Sequence, residues 1–458
     1  MKTDAKTFST VAFSTDSDTC YGLELVVMQL RHNGWRRVEE GGTYSLVSLY
    51  WCEQLYDLIR WKRTQWDGKS RIVVGGNSAT ANPAACFPWA DAVWLGDGEA
   101  WNGDWEHPSL VKLGAGAGPI AIQERLFPIP YEDIQKARRA FIEISRGCKN
   151  KCAFCQYGWL KPYRETELEE VLAAIHSVKV KSVRVFAADR FQHTAYVDIR
   201  KALETSGRLD TGSDVSIRFL LKYPEYLAFT HKIRCGIEGM SENLRRFVHK
   251  PLTDEQIVEA HAKAREQDIK CFDWYMIYGL PGETDADAEA FVRLLEKLAK
   301  VMPGQTLAIH FQAFQPNALT PMQWDAAAVE YPKERLRNIM GRRVPGLKLA
   351  YRPDGPTGDA TMFRRMLAVR GNETTDRLAW NVAYRPRVLR DADLIRLEFQ
   401  AATATPLDGS MDIGTRLPTD QYVLYDRDRL VKVRKAMDRH AATGPTPAAD
   451  TPEGPADA

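Results

Sequence analysis

The chain has 458 residues, 44% of them hydrophobic and 27% charged, the balance of an ordinary soluble protein of two to three domains with ample core. No apolar run approaches the about 20 residues of a membrane helix, Met1–Asp18 lacks a signal-peptide core, and eight cysteines over this length are no disulfide framework; a cytoplasmic location is expected. The formal net charge of +2 points to no particular partner.

Residues from about 7 to 130 alternate strand-like and helical runs. Thr7–Ser14 is apolar and β-branched, and Tyr21–Asn33 follows with helical spacing. Tyr44–Leu49 reads as a second strand leading into a helix over Glu53–Thr64. Arg71–Val74 ends at Gly75–Gly76, and Ala92–Leu95 ends at Gly96-Asp97-Gly98-Glu99. Strands alternating with helices predict a parallel, doubly wound sheet. Both glycine turns then fall at strand carboxyl ends, where such sheets bind ligands.

The next stretch, Ser145–Gln156, reads SRGCKNKCAFCQ. Cys148, Cys152 and Cys155 form C-x3-C-x2-C, three thiolates on one short loop, enough to hold three irons of a 4Fe–4S cubane and leave the fourth open. A zinc site or three packed core thiols are the alternatives. Zinc motifs usually offer two separated pairs and a fourth ligand, and the nearest downstream histidine, His176, is remote in sequence.

With Phe154 just before the third cysteine, this run resembles the signature of the radical S-adenosylmethionine (radical SAM) superfamily. The resemblance implies that the amine and carboxylate of SAM occupy the open iron. One electron from the reduced cluster then splits SAM into methionine and a 5′-deoxyadenosyl radical, which takes a hydrogen atom from the substrate. Glu143–Trp159, with Arg164–Glu165 after it, is similar to a subgroup that carries a cobalamin-binding-like domain ahead of the radical domain, in a motif order covering residues 1–330. Such domains often carry D-x-H-x-x-G, whose His ligates cobalt. Here Gly22 is the anchor, and Thr19 and Ser17 stand where the His and Asp would be, so cobalamin is allowed but not favoured. A methylthio-transferring relative would need a second cysteine triad near the N-terminus. Cys20, Cys52 and Cys86 read instead as scattered core thiols, and Cys235 and Cys271 as buried free thiols.

Val183–Ala187, Val215–Leu221, Cys235–Glu238, Cys271–Tyr278 and Leu307–Phe314 are strand candidates, separated by helical segments such as Thr166–Val178 and Asp285–Leu298. With the strand before the cysteines they make six β/α units and resemble the superfamily's partial (β/α)6 barrel. The resemblance implies SAM contacts at strand carboxyl ends. Glu238 closes a G-I-E segment, and Gly279 and Pro281 belong to the fifth-strand run Met276–Glu283. Gln315 closes the sixth strand. At the second strand Phe186-Ala187-Ala188-Asp189-Arg190 replaces the family's G-G-E-P-like end, with Asp189 as the stand-in carboxylate.

Beyond Trp324 the resemblance fades. Pro332–Arg390 holds 14 Lys/Arg against 5 Asp/Glu, a local +9 that leaves −7 for the remainder. A basic segment of this kind could meet phosphates, with Arg342, Arg343, Arg364 and Arg365 at its densest points, or it could be a solvated face paired with acidic surface. Pro345–Gly358 is loop-rich, Tyr422–His440 reads as a strand and a charged helix, and Ala441–Ala458 has a disordered composition.

The expected architecture is α/β: a cobalamin-binding-like doubly wound domain over residues 1–130, a radical SAM partial barrel over 131–330, a basic α+β extension over 331–440 and a tail over 441–458. The expected function is radical modification, by rearrangement (isomerase) or functionalisation, of a nucleobase-type substrate in DNA or RNA, served by a flavodoxin- or ferredoxin-like reductant. A cobalamin-dependent methyltransferase acting on a small molecule or peptide, and a non-catalytic Fe–S protein, are the alternatives.

Overall fold

The computed structural model describes residues 6–13, 17–112, 118–126, 128, 131–133, 139–210, 214–227, 232–323, 325, 328, 333–353, 365 and 427–442. The first sheet comprises β1 (Thr7–Ala12), β2 (Arg36–Arg37), β3 (Tyr44–Ser48), β4 (Arg71–Gly75), β5 (Ala92–Trp94) and β6 (Leu110–Lys112), in the order β2-β1-β3-β4-β5-β6. All pairings are parallel except β5–β6. Its central strands β3, β4 and β5 are short runs buried on both faces, as expected inside a parallel sheet, while the edge strand β2 is exposed. Successive residues separate cleanly. Leu46 and Val73 join Leu23, Val27 and Leu30 of the helix Ser17–His32 on one face, while Val47 and Val74 join Leu55, Leu58 and Ile59 of the helix Gln54–Thr64 on the other. The sheet is doubly wound, and its strand order puts a topological switch between β1 and β3.

Two further four-stranded sheets follow. One contains β7 (Tyr131–Asp133), β8 (Arg139–Glu143), β11 (Ser182–Phe186) and β12 (Leu209–Asp210), ordered β12-β11-β8-β7. The other runs β13-β14-β15-β16 from Lys232–Glu238, Cys271–Tyr278, Thr306–Ala313 and Lys348–Pro353. Within them only β7 is antiparallel. Asp214, four residues beyond β12, forms an isolated parallel bridge with Arg234 of β13. Between β8 and β11 lies a small antiparallel pair, β9 (Ser145–Arg146) and β10 (Arg164–Glu165).

Val215–Leu221, expected as a strand, is instead the helix Ile217–Lys222. Ser216 caps it by accepting from the Phe219 amide at 3.2 Å, an N-cap signal that outweighs the apolar run. The loop expected over Pro345–Gly358 contains β16, because Lys348–Pro353 finds an unpaired edge on β15 despite its Pro and Gly flanks. In the terminal segment the helix Arg427–Ala442 packs Met437 into the same core as β13–β15; a strand before it and the 441–458 tail composition concern residues largely outside those described. Among the described residues no helix is long and apolar enough to cross a membrane.

Candidate active site

The cysteine loop is pinned at both ends. Residues 145–146 and 164–165 pair as β9 and β10, with Ser145 opposite Glu165 and Arg146 opposite Arg164. At the turn into the loop Gly147 has φ +79°, and a Cβ there would sit 2.5 Å from the Pro162 carbonyl oxygen, so only glycine lets entry and exit approach this closely. Farther in, the Ala153 amide donates to the Val248 carbonyl at 2.9 Å, and Asn317 Nδ2 donates to the Phe154 carbonyl at 3.1 Å. Elements far apart in sequence therefore hold the loop.

The three thiols are free, and Cys148 and Cys152 are buried. Burial pushes all of them up, Cys152 to about 12 and Cys155 to about 11. Among the described residues no three His, Cys, Asp or Glu side chains converge tightly enough for one metal ion. Gln192 Nε2 donates to Cys148 Sγ at 3.4 Å, the kind of sulfur hydrogen bond that tunes cluster potential.

Glu238 closes β13 in an unusual way. Its φ is +71°, and the β13–β14 register shifts between Gly236 and Glu238, a bulge with backbone strain of the kind found beside functional sites. The carboxylate meets Lys250 Nζ at 2.9 Å. Burial alone would lower the Lys250 ammonium, but Glu238 and Cys152 outweigh it and the net shift is upward. A Cβ on Gly236 would lie 2.3 Å from Glu238 Oε1 and 2.7 Å from Lys250 Nζ. Gly236→Ala should therefore leave folding nearly unchanged, since both heads can swing, while displacing the pair; equilibrium dialysis should show weaker SAM binding with iron content retained.

Two cavities flank the loop. One, about 580 Å³, is lined by all three cysteines with Phe154, Ala187, Asp189, Glu238 and Lys250. The other, about 690 Å³, shares Phe154, Cys155 and Glu238 and adds Gln315. Gly279 and Pro281 line neither; the Gly279 amide donates to Glu283 Oε2 at 3.0 Å. Asp189 is largely occupied within the chain, accepting from Asn150 Nδ2 at 3.1 Å and from the Phe191 amide and Gln192 Nε2 at 3.2 Å each. Burial raises its pKa. Lys250 and Gln192 escaped the sequence reading, since neither belongs to a motif.

The remaining cysteines differ from expectation in part. Cys86 and Cys235 are buried, but Cys271 is only partly so, and Cys52 lines the second cavity with its thiol 3.2 Å from Glu53 Oε2. The Cys20 side chain and Arg364 lie outside the described residues. Of the basic segment, Arg342 pairs with Glu289 at 3.0 Å and Arg365 with Glu53 at 2.6 Å. These arginines face carboxylates of the chain itself.

At the carboxyl ends of β3, β4 and β5 a third cavity of about 440 Å³ opens between the first sheet and the cysteine loop, lined by Gly22, Gly76, Trp94, Asp97 and Tyr157 among others. Asp97, its side chain fully buried, meets Arg146 at 2.9 Å, Lys161 at 2.7 Å and Arg164 at 2.8 Å. Arg146 also meets Glu99, and Glu143 at 2.7 Å. Three carboxylates balance three cations. Burial alone would raise the Asp97 carboxyl, but Lys161, Arg146 and Arg164 hold it well below the usual carboxylate range. A turn of the first sheet thus grips both the entry and the exit of the cysteine loop.

Comparison with known proteins bears on this geometry. The sequence family described as the Radical SAM superfamily matches residues 142–295. An uncharacterized methyltransferase of Pyrococcus horikoshii is 26% identical over 229 residues, 45% of this chain and 49% of that protein. Ribosomal protein uS12 methylthiotransferase RimO of Syntrophobacter fumaroxidans is 26% identical over 181 residues, 34% of this chain and 39% of that protein. The chain thus spans half or less of the length of these two relatives. The solved structure of the cobalamin-dependent SAM radical enzyme OxsB with aqua-cobalamin bound aligns over 96% of this chain and 72% of that one at 13% identity, with a TM-score of 0.52, a likeness of fold. The match to the Radical SAM superfamily thus rests on residues 142–295, about a third of the chain.

Proposed function

We propose that Cys148, Cys152 and Cys155 hold a 4Fe–4S cluster, and that SAM binds beside it against Glu238, Lys250, Phe154, Ala187, Asp189 and Gln315, with Gly279 and Pro281 outside both cavities. When bound, the cluster supplies the electron that splits SAM and so starts hydrogen abstraction. The observation that carries the reading is the shared cavity, which the three cysteines and the Glu238–Lys250 pair all line. Glu238 can accept from SAM hydroxyl or amine groups, and Lys250 can meet its carboxylate. The loop's buried backbone anchors fix the thiolates and exclude water. The two sheets, with the isolated Asp214–Arg234 bridge between β12 and β13, read as arcs of one partial (β/α)6 barrel, with domain divisions near residues 130, 330 and 440.

The outcome that needs no second cofactor is a rearrangement or functionalisation, with a nucleobase-type substrate. Docking of DNA or RNA through residues 332–390 rests on charge alone, and two of its arginines are already paired. The cavity at the first sheet favours a second reading, a cobalamin-dependent methyltransferase. No histidine lines that cavity, so the corrin would have no protein imidazole among the described residues; spectral titration with hydroxocobalamin decides.

Anaerobically reconstituted protein given dithionite and SAM should release 5′-deoxyadenosine. Glu238→Gln should keep its iron and bind SAM roughly ten- to a hundredfold more weakly, the worth of a charge-assisted hydrogen bond. Iron-loaded wild type that leaves SAM intact would return the chain to the non-catalytic Fe–S alternative.

A further inference from the structure

Successive residues of β11, β13 and β14 face opposite ways. Val183, Val185, Ile233, Cys235, Ile237, Phe272 and Trp274 are buried in the main core. The alternate positions of a sheet that curls around a lumen are ordinarily filled with branched apolar side chains. Here they are Arg184, Arg234 and Tyr275, only partly buried, and all three line the cavity that holds the cysteines. Arg218 and Lys222, one turn apart on the helix Ile217–Lys222, line it too. Arg218 has no ion-pair partner among the described residues, and Lys222 lies over the Tyr223 ring at 4.9 Å.

Charge does not balance in this cavity. Its lining holds six cations (Arg184, Arg190, Arg218, Lys222, Arg234 and Lys250) against the three carboxylates of Asp189, Asp214 and Glu238. Arg190 is answered by Asp210 at 3.4 Å and Lys250 by Glu238, while Asp214 stands 3.6 Å from Arg184. The Arg234 Nε is buried without a hydrogen-bond partner. Its nearby acid, Asp273 at 3.8 Å, is shared with Lys232 at 2.6 Å and His310 at 3.6 Å. A cluster on three thiolates carries one negative charge, two once reduced, and SAM bound through its deprotonated amine carries none, so together they offset only part of the surplus.

We propose that this face grips an oxyanion, and that the substrate carries a phosphate or carboxylate held by Arg184, Arg218 and Arg234, with Lys222 at the rim. Guanidinium forks suit both groups bidentately. An anion anchored here lies in the same cavity as the cysteines, so the grip would orient the reacting end toward them. That the anion belongs to the substrate rests on the radical SAM reading of the site; the grip itself does not.

The test titrates inorganic pyrophosphate and, separately, succinate into reconstituted wild type at low salt by calorimetry. At least one should bind at a single site. R218E/K222E should weaken it roughly ten- to a hundredfold, whereas R342E/R343E, on the outer basic segment, should not. Binding of pyrophosphate alone assigns a phosphate ester and binding of succinate alone a carboxylate; binding of both supports the shared oxyanion grip. If neither binds, if R218E/K222E binds as wild type does, or if R342E/R343E loses binding equally, the proposal is overturned. Should the double reversal cost the cluster, R218Q in the same titration decides. Wild type that binds pyrophosphate yet holds no iron overturns the proposed function and spares the grip; wild type that cleaves SAM and binds neither anion does the reverse.

Discussion

Cys148→Ala is expected to abolish iron binding, taking the reconstituted chain from about four irons and four sulfides to nearly none. The same holds for Cys152→Ala and Cys155→Ala, because two thiolates cannot retain a cubane whose fourth iron already lacks a protein ligand. The loop backbone is held by the Ala153 amide donating to the Val248 carbonyl, by Asn317 donating to the Phe154 carbonyl and by the β9–β10 pair. The metal-free variants should therefore fold much as wild type does, and the loss reads as ligand loss. Cys86→Ala, buried in the core packed on the first sheet, serves as control and should keep its iron. Iron and sulfide analysis with the visible absorbance of the cluster gives the answer, and release of 5′-deoxyadenosine should vanish in parallel. A full cluster retained after any one of the three changes would sink the assignment.

The second large effect concerns stability. Asp97→Asn keeps the shape of the side chain but leaves three cations facing two carboxylates in a buried network. Breaking such a network by removing one partner costs roughly 3–5 kcal/mol, which denaturant unfolding of the metal-free protein should register. The pH dependence has a definite sign. Asp97 has a folded pKa held below its unfolded value of about 3.9, so its contribution is full above that value and is lost as pH falls below it. Wild type should lose this increment below about pH 4, and the Asn variant should lack it throughout. Because Arg146, Lys161 and Arg164 bracket the cysteine loop, the variant should also surrender iron to a chelator faster. A stability change under about 1 kcal/mol would show the network to be dispensable.

What could be read beforehand divides along physical lines. That Cys148, Cys152 and Cys155 share one cavity was legible because their spacing confines them to one short loop. Four of the six strands of the first sheet, β1, β3, β4 and β5, were legible as short apolar, β-branched runs, two of them ending in Gly-Gly or Gly-Asp-Gly; the edge strands β2 and β6, two and three residues long, were too short to show a pattern. Ile217–Lys222 was misread because a short apolar run fits either a buried strand or a buried helix turn, and only Ser216 distinguishes them. β16 was missed because its pairing depends on an edge offered by β15. Lys250 and Gln192 approach the cysteines through tertiary folding alone, and nothing in their neighbours along the chain marks them. The basic segment shows the converse. Its charge was legible, but the partners Glu289 and Glu53 that engage Arg342 and Arg365 were not.

All six strands of the first sheet precede Cys148 in the chain, whereas the three cations that meet Asp97 follow it or stand just before it. On the ribosome, where N-terminal units fold first, that sheet can be finished while Asp97 still lies in water at its rim. The cysteine loop then docks onto a preformed surface as Arg146, Lys161 and Arg164 emerge in turn. Iron delivery becomes a late event in biogenesis, and the apo chain has a defined shape in which to wait for it.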